Sequence, residues 1–356
     1  NGIYDTVTNE WKERIQNKYE TTRIDGDNDI ASAYLSYWTD HGATYYGDSY
    51  HFNLSCCSYD VFKDVKDSLD KDGINIHYWQ MDDWWYYGEG PNYYTKETQW
   101  GGVKGVQSWV TPNEYYPGGL SQLTKTLQVP LLLYGPYFTP NNDFINDFEF
   151  TPNGAGYVLP TPDNTDNAYQ FYKRLFEFGI NQTTNGDNTG MIGYEIDFMD
   201  CLSATPYFRL NIDAGQRWLD SIDKAASELG VTVQYCMALP NNLLSSLSLS
   251  HVTNARASHD YAANVNWDIG AASMLFYALS LKPSKDNFWT SYPQPLPSDY
   301  EPSGNDMPSV QLMTIVAIMS TGPVGISDMA NYTNKTLIMR TCRDDGRLLQ
   351  PNMPMI

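Results

Sequence analysis

The sequence predicts an α/β fold of the (β/α)8 TIM-barrel type, and three observations carry that expectation. Eight short strand-like runs alternate with helical patterns along the chain. Long loops and clustered acids follow the C-terminal ends of several runs, the rim on which barrel active sites stand. No Gly-rich phosphate loop follows the first run, which counts against a doubly wound open sheet, the remaining alternative.

Taken in order, residues 1–30 are a polar lead-in with helical periodicity over 7–19 and an Asp/Asn/Gly turn cluster at 25–29. The barrel is expected over 31–350, with a tail at 351–356. Strand one is 33–38, running into Thr39-Asp40-His41-Gly42. Residues 59–72 are helical, with Val61, Phe62, Val65 and Leu69 on one face and Gly73 as the C-terminal cap. Strand two, 74–81, runs into Asp82-Asp83-Trp84-Trp85. The loop 88–119 is too long and too aromatic for a plain connector, which marks it as functional. Then come a helix at 120–128, strand three at 129–134, a second long loop at 135–166 and a helix at 168–178. Strand four is the apolar run from Met191, which delivers Asp197 to its end as a buried parallel strand would. The amphipathic helix 211–229 closes at Gly230; strands five and six follow at 231–237 and 252–257, the latter ending in Ser258-His259-Asp260. A helix at 267–281, a weakly marked seventh strand at 287–290, a helix at 309–320, strand eight at 324–327 ending on Asp328, and a helix at 334–343 complete the pattern.

Composition narrows the partners. Lys and Arg number 22 against 42 Asp and Glu, a net charge of −20 that argues against nucleic acid or an anionic membrane as partner. No apolar run is long enough for a membrane helix, so membrane insertion is not expected. The 28 Tyr and 10 Trp suit neutral sugars, whose apolar ring faces stack on aromatic side chains, although an ordinary acidic soluble protein is the simpler account of composition alone. The sequons at Asn53, Asn181, Asn331 and Asn334 lean towards a secreted glycoprotein. No signal peptide opens the chain at Asn1, which leaves room for a leader or an upstream domain. The five cysteines have no zinc spacing; a bridge from adjacent Cys56 or Cys57 would have to reach a distant residue, and the redox state stays open. The His residues form no close ligand pair and the Asp/Asn turns lack a calcium-loop pattern, so neither metal nor cofactor is expected.

Retaining glycoside hydrolysis needs two carboxylates about 5 to 5.5 Å apart, one as nucleophile and one as acid/base. Strands four and six lie close enough on a barrel rim to bring Asp197 and Asp260 to such a separation; helix caps or surface acids are the alternative for either residue. Four segments in order then resemble the clan of retaining α-galactosidases, most closely the raffinose synthase, seed-imbibition and alkaline α-galactosidase branch of glycoside hydrolase family 36. They are His77 to Trp84 (His-Tyr-Trp-Gln-Met-Asp-Asp-Trp), Gly193 to Phe198, Cys236-Met237 with Arg256-Ala257-Ser258-His259-Asp260-Tyr261, and Gly322 to Asp328 followed by Asp344-Asp345-Gly346. The resemblance spans about residues 35 to 347.

That resemblance implies Asp197 as nucleophile and Asp260 as general acid/base, the first ionised and the second held protonated at rest. It also implies Asp82 and Asp83 on the outer sugar hydroxyls, Arg256 orienting sugar or carboxylate, and Trp38 and Trp84 walling the subsite. Cys236 and Asp328, standing in the matched segments, join the expected substrate-binding set. Arg256 has a structural ion-pair role as its alternative, and Trp84, Trp85 and Trp289 have the core as theirs.

Three departures qualify the likeness. Glu195 stands where the family usually has Lys, replacing a cationic donor by an anionic acceptor beside the nucleophile. His259 replaces the first Asp of the acid/base pair, leaving Asp260 alone. The family's flanking β-domains have no counterpart, which implies a stripped barrel or a piece of a longer protein or assembly. The expected function is hydrolysis or transfer of an α-linked, most plausibly galactosyl, unit from an oligosaccharide or glycoside. The alternative is a non-catalytic sugar-binding or structural extracellular glycoprotein on a glycosidase-like barrel.

Overall fold

The computed structural model describes residues 2, 5–19, 21–24, 26–40, 42–44, 58–82, 85–88, 105–113, 115–163, 165–184, 190–261, 269–295 and 309–355. Among them eight parallel strands form one sheet: β1 (Leu35–Trp38), β2 (Trp79–Met81), β3 (Leu131–Gly135), β4 (Met191–Ile196), β5 (Thr232–Tyr235), β6 (Val252–Arg256), β7 (Lys282–Ser284) and β8 (Val324–Ile326). Their spatial order is β7-β6-β5-β4-β3-β2-β1-β8, consecutive neighbours throughout. Each is followed by a helix: α1 (Ser58–Asp72), α2 (Gly119–Leu127), α3 (Asn167–Thr183), α4 (Ala214–Leu229), α5 (Pro240–Ser245), α6 (Gly270–Ala278), α7 (Val310–Met319) and α8 (Lys335–Ile338). This is the (β/α)8 barrel that the alternation of patterns predicts.

The seventh strand differs from its expected position. Lys282-Pro283-Ser284 pairs with β6, and four residues later Phe288 bridges to Ile326 of β8. Two backbone bonds make that closure, from Phe288 N to the Gly325 carbonyl at 3.2 Å and from Ser327 N to the Phe288 carbonyl at 3.1 Å. Expectation therefore located the half of the split strand that faces β8 and missed the half that faces β6. A Lys-Pro-Ser run has little strand propensity, and proline lacks a ladder donor.

Alternation along the strands sorts the core into two compartments. Leu35 and Tyr37 of β1, Trp79 and Met81 of β2, Leu131 and Leu133 of β3, and Tyr194 and Ile196 of β4 belong to the layer shared with the helices. Trp38, Tyr78 and Leu132 alternate with them and form a separate small cluster with Ala31. Glycine makes this filling possible. A Cβ on Gly325, paired with Ser36 on the neighbouring strand, would lie 2.3 Å from Cγ of the Trp38 indole.

Helix ends follow the sequence signals. Gly73 and Gly230 take the left-handed conformation (φ 68° and 70°) just after α1 and α4. The second long loop is anchored on α3, where Phe171 receives the ring edges of Phe138, Phe144, Phe148 and Phe150 at centroid distances of 4.9, 5.4, 5.4 and 5.3 Å. An antiparallel hairpin, Phe150–Pro152 with Val158–Pro160, stiffens it further. No helix among the described residues is long and apolar enough to cross a membrane.

Gly325→Ala tests the interior packing. The added methyl displaces the Trp38 indole, so the urea midpoint should fall by the equivalent of about 1 to 3 kcal/mol with an unchanged m-value. An unchanged midpoint would mean that the indole is not confined by β8.

Candidate active site

Side chains from the ends of seven strands, β1 to β7, converge at the C-terminal mouth of the barrel. Asp197 follows β4 by one residue and is nearly buried. Its Oδ2 accepts a hydrogen bond from the Tyr134 hydroxyl at 3.0 Å, and its Oδ1 from the Phe198 backbone N–H at 2.6 Å. Burial pushes its carboxyl up from the usual range, while the Arg256 charge, the Cys236 thiol and those two donors pull it back towards the ionised form. Cys236 stands at the end of β5, buried and not in a disulfide; buried Cys342 and half-buried Cys201 are also free thiols, and Cys56 and Cys57 lie outside the described residues.

Glu195 points to the same side of β4, two residues upstream. Its Oε2 accepts from Gln80 Nε2 at 2.8 Å. The same amide nitrogen donates to Asp82 Oδ2, while Gln80 Oε1 accepts from Thr39 N at 3.1 Å. Gln80 thus ties the ends of β1 and β2 to β4. Burial pushes Glu195 up to about 7, against the opposing pull of the Gln80 amide and the Arg256 charge. Asp82 is fixed from a second side, since its N–H donates to Thr39 Oγ1 at 2.9 Å. Asp83 and Trp84 lie outside the described residues.

The centre of charge is Arg256, at the end of β6 and with only 7% of its side chain exposed. Its Nη1 lies 2.7 Å from Asp40 Oδ2 and 3.6 Å from Asp286 Oδ1, and its Nη2 hydrogen-bonds Asp260. Asp40 and Asp286 are buried, whereas the Asp260 side chain is 52% exposed. Oxygens of the three carboxylates lie within 4.8 Å of one another, a donor set of the kind hard cations use, and the guanidinium already supplies positive charge there. Burial drives Asp40 well above the ordinary carboxylate range, with Asp286 and Asp82 adding to the shift and Arg256 opposing it.

Two expected site residues sit elsewhere. Trp38 is buried inside the barrel, its Nε1 donating to Ser36 Oγ at 2.8 Å and to the Tyr78 hydroxyl at 3.1 Å. Its cluster partners Ala31 and Tyr78 precede their strands, so the ring is packed from the N-terminal side. Asp328 is completely buried and clamps the loop after β7, accepting from Thr290 N, Thr290 Oγ1 and Gln294 Nε2 at 2.8, 2.7 and 2.8 Å. Trp85 and Trp289 are core residues, each 1% exposed. Asn181 and Asn331 are exposed, the Asn334 Oδ1 caps α8 by accepting from Leu337 N at 3.1 Å, and Asn53 lies outside the described residues.

Four participants carry no role in the sequence reading: Asp40, Gln80, Tyr134 and Asp286. Asp40 follows β1 by two residues, the same signal that singles out Asp197 and Asp260. Asp286 stands in that position after β7, but displacing the strand to 287–290 put the acid before it.

The raised carboxyl of buried Glu195 links the site to stability. A carboxyl at about 7 in the folded chain against 4.5 unfolded binds more protons folded, so its stabilising contribution is present below about pH 4.5. It is lost as pH rises to about 7, by about 3 kcal/mol in all. Glu195→Gln keeps an acceptor for Gln80 and removes the titration. The variant should gain stability over wild type by roughly that amount between pH 4.5 and 8 in paired urea melts; parallel pH profiles would refute the assignment.

No family model and no curated protein sequence matches the chain. Solved structures do. The GH31 dextranase from Flavobacterium johnsoniae matches with a TM-score of 0.53 at 10% identity, covering 93% of this chain and 40% of that one. A quadruple mutant of the α-N-acetylgalactosaminidase NagBb from Bifidobacterium bifidum matches with 0.50 at 8% identity, covering 95% and 55%. The α-galactosidase I from Mortierella vinacea matches with 0.47 at 13% identity, covering 88% and 72%. This chain therefore spans about half the length or less of the first two. At these identities the likeness to the first two shows the fold alone, a (β/α)8 barrel.

Proposed function

We propose that this chain is the catalytic barrel of a retaining carbohydrate-active enzyme that hydrolyses or transfers an α-linked glycosyl unit. Within that class, the sequence motifs favour an α-galactosyl unit and the family 36 branch of the α-galactosidase clan. The observation that carries the reading is the setting of Asp197. It is a nearly buried carboxylate at the end of β4, held by one side-chain and one backbone donor, with Arg256 close enough to favour its ionised form. Such an acid attacks C1 of the sugar as the C1–O bond breaks, forming a covalent glycosyl ester that water or an acceptor alcohol then discharges.

Asp260 is the proposed acid/base. Its exposed carboxyl contacts Arg256, so it must leave the guanidinium to carry a proton to the departing oxygen. Asp82, together with Gln80 and Glu195, offers acceptors and donors to sugar hydroxyls. Glu195 in place of a lysine alters which hydroxyls are favoured. We further propose an extracellular location, which the exposed Asn181 and Asn331 sequons support.

The second reading, a sugar-binding barrel without catalysis, is favoured by one observation: Asp260 is engaged in an ion pair rather than free. Kinetics separate the two. Wild type should turn over aryl α-galactosides or raffinose-type substrates, and Asp197→Ala should lower kcat by at least about a thousandfold with its fold intact by circular dichroism. An intact wild type that cleaves no α-glycoside leaves the binding reading. Glu195→Lys should move the kcat/KM ratio towards galactosides over other α-glycosides; an unchanged ratio would remove Glu195 from specificity.

A further inference from the structure

A cavity of about 670 Å3 opens beside the Arg256 cluster, lined by Asp260, Arg256 and Asp200 together with residues from the ends of β5 and β6 and from α5 and α6. A general acid stands on the leaving-group side of a glycosidic bond, so on the reading of Asp260 above this cavity receives the group that departs. One wall of it is wholly apolar. Every lining residue from the segments 237–243 and 269–276 has an apolar side chain, among them Met237, Leu239, Leu243, Ile269, Leu275 and Phe276. Met237 and Leu239 are 42% and 38% exposed, apolar surface that remains wet until something covers it. The chain has 28 Tyr and 10 Trp, yet among the described residues none lines this cavity. Asp200, Ser258 and His259 join Arg256 and Asp260 on the polar side of the cavity, so a hexose here would find partners for only part of its hydroxyls and would set the rest against the apolar wall.

We propose that this cavity binds an apolar aryl or alkyl aglycone, and that the preferred substrates are α-glycosides of phenols or aliphatic alcohols rather than oligosaccharides. In the reaction the C1–O bond breaks as Asp197 bonds to C1. The departing oxygen takes a proton from Asp260 and leaves as the free phenol or alcohol. A phenol needs less proton donation than a sugar hydroxyl, which suits an acid held by Arg256.

The test uses the full chain and 4-methylumbelliferone, a free aryl alcohol whose fluorescence anisotropy reports binding without any assumption about the sugar. Wild type and Asp197→Asn should bind it alike. Leu239→Asp, at a partly exposed position that tolerates charge, should weaken binding at least about tenfold, and Leu239→Ser less. Ile315→Asp, on the exposed face of α7, should change nothing. No binding, or binding untouched by Leu239→Asp, overturns the proposal. Turnover of 4-methylumbelliferyl α-galactoside beside raffinose reads the glycosidase proposal separately. Binding without turnover of any α-glycoside keeps the cavity and rejects the enzyme, whereas turnover without Leu239-dependent binding rejects the aglycone.

Discussion

The mouth of this barrel depends on the guanidinium of Arg256. Three carboxylates from the loops after β1, β6 and β7 meet there, two of them buried, in a protein whose net charge is already −20. Burying such charges costs several kcal/mol each unless they are paired and hydrogen-bonded. A planar fork with several N–H donors can face more than one acid at once, which a lysine ammonium does with far less geometric control. Asp286 is further satisfied by the Asn287 backbone at 2.8 Å and by Tyr261 N, so the cluster also organises the chain on both sides of it.

The same logic extends to the nucleophile candidate. Among the described residues Asp197 has no direct ionic partner; it is poised by donors, by a thiol and by the more distant Arg256. Phe198 and Met237, which follow Asp197 and Cys236 at the ends of β4 and β5, both take left-handed backbone with φ of 55° and 51°. That conformation is costly for bulky side chains, and such strain concentrates where a site demands a particular geometry. Phe198 turns its N–H onto Asp197, and Met237 enters the wall of the apolar cavity beside Asp260. The same backbone conformation thus serves twice at the mouth, once for Asp197 and once for the cavity wall.

Much of this is legible in the sequence because strand periodicity and strand-end acids are local signals. Leu35 to Trp38 and Met191 to Ile196 read as strands from their own residues, and Asp197 stands out by its place. What is not legible depends on distant partners. Nothing around Asp328 indicates that Thr290 and Gln294 will take up its oxygens. Nothing in Ser36-Tyr37-Trp38 shows that a glycine on β8 makes room for the indole inside the barrel. Strand seven is hidden because Lys282-Pro283-Ser284 is held by its neighbour β6 rather than by its own propensity, and Asp286 is lost with it.

The central claim is that Asp197 becomes covalently attached to the sugar, and intact-protein mass spectrometry after reaction with an activated fluorinated α-galactosyl donor tests it most directly. The account predicts a mass increase of one fluorogalactosyl unit, mapped by peptide sequencing to Asp197 and absent from Asp197→Asn. A label on any other carboxylate, or turnover of the donor with no ester on Asp197, would contradict it.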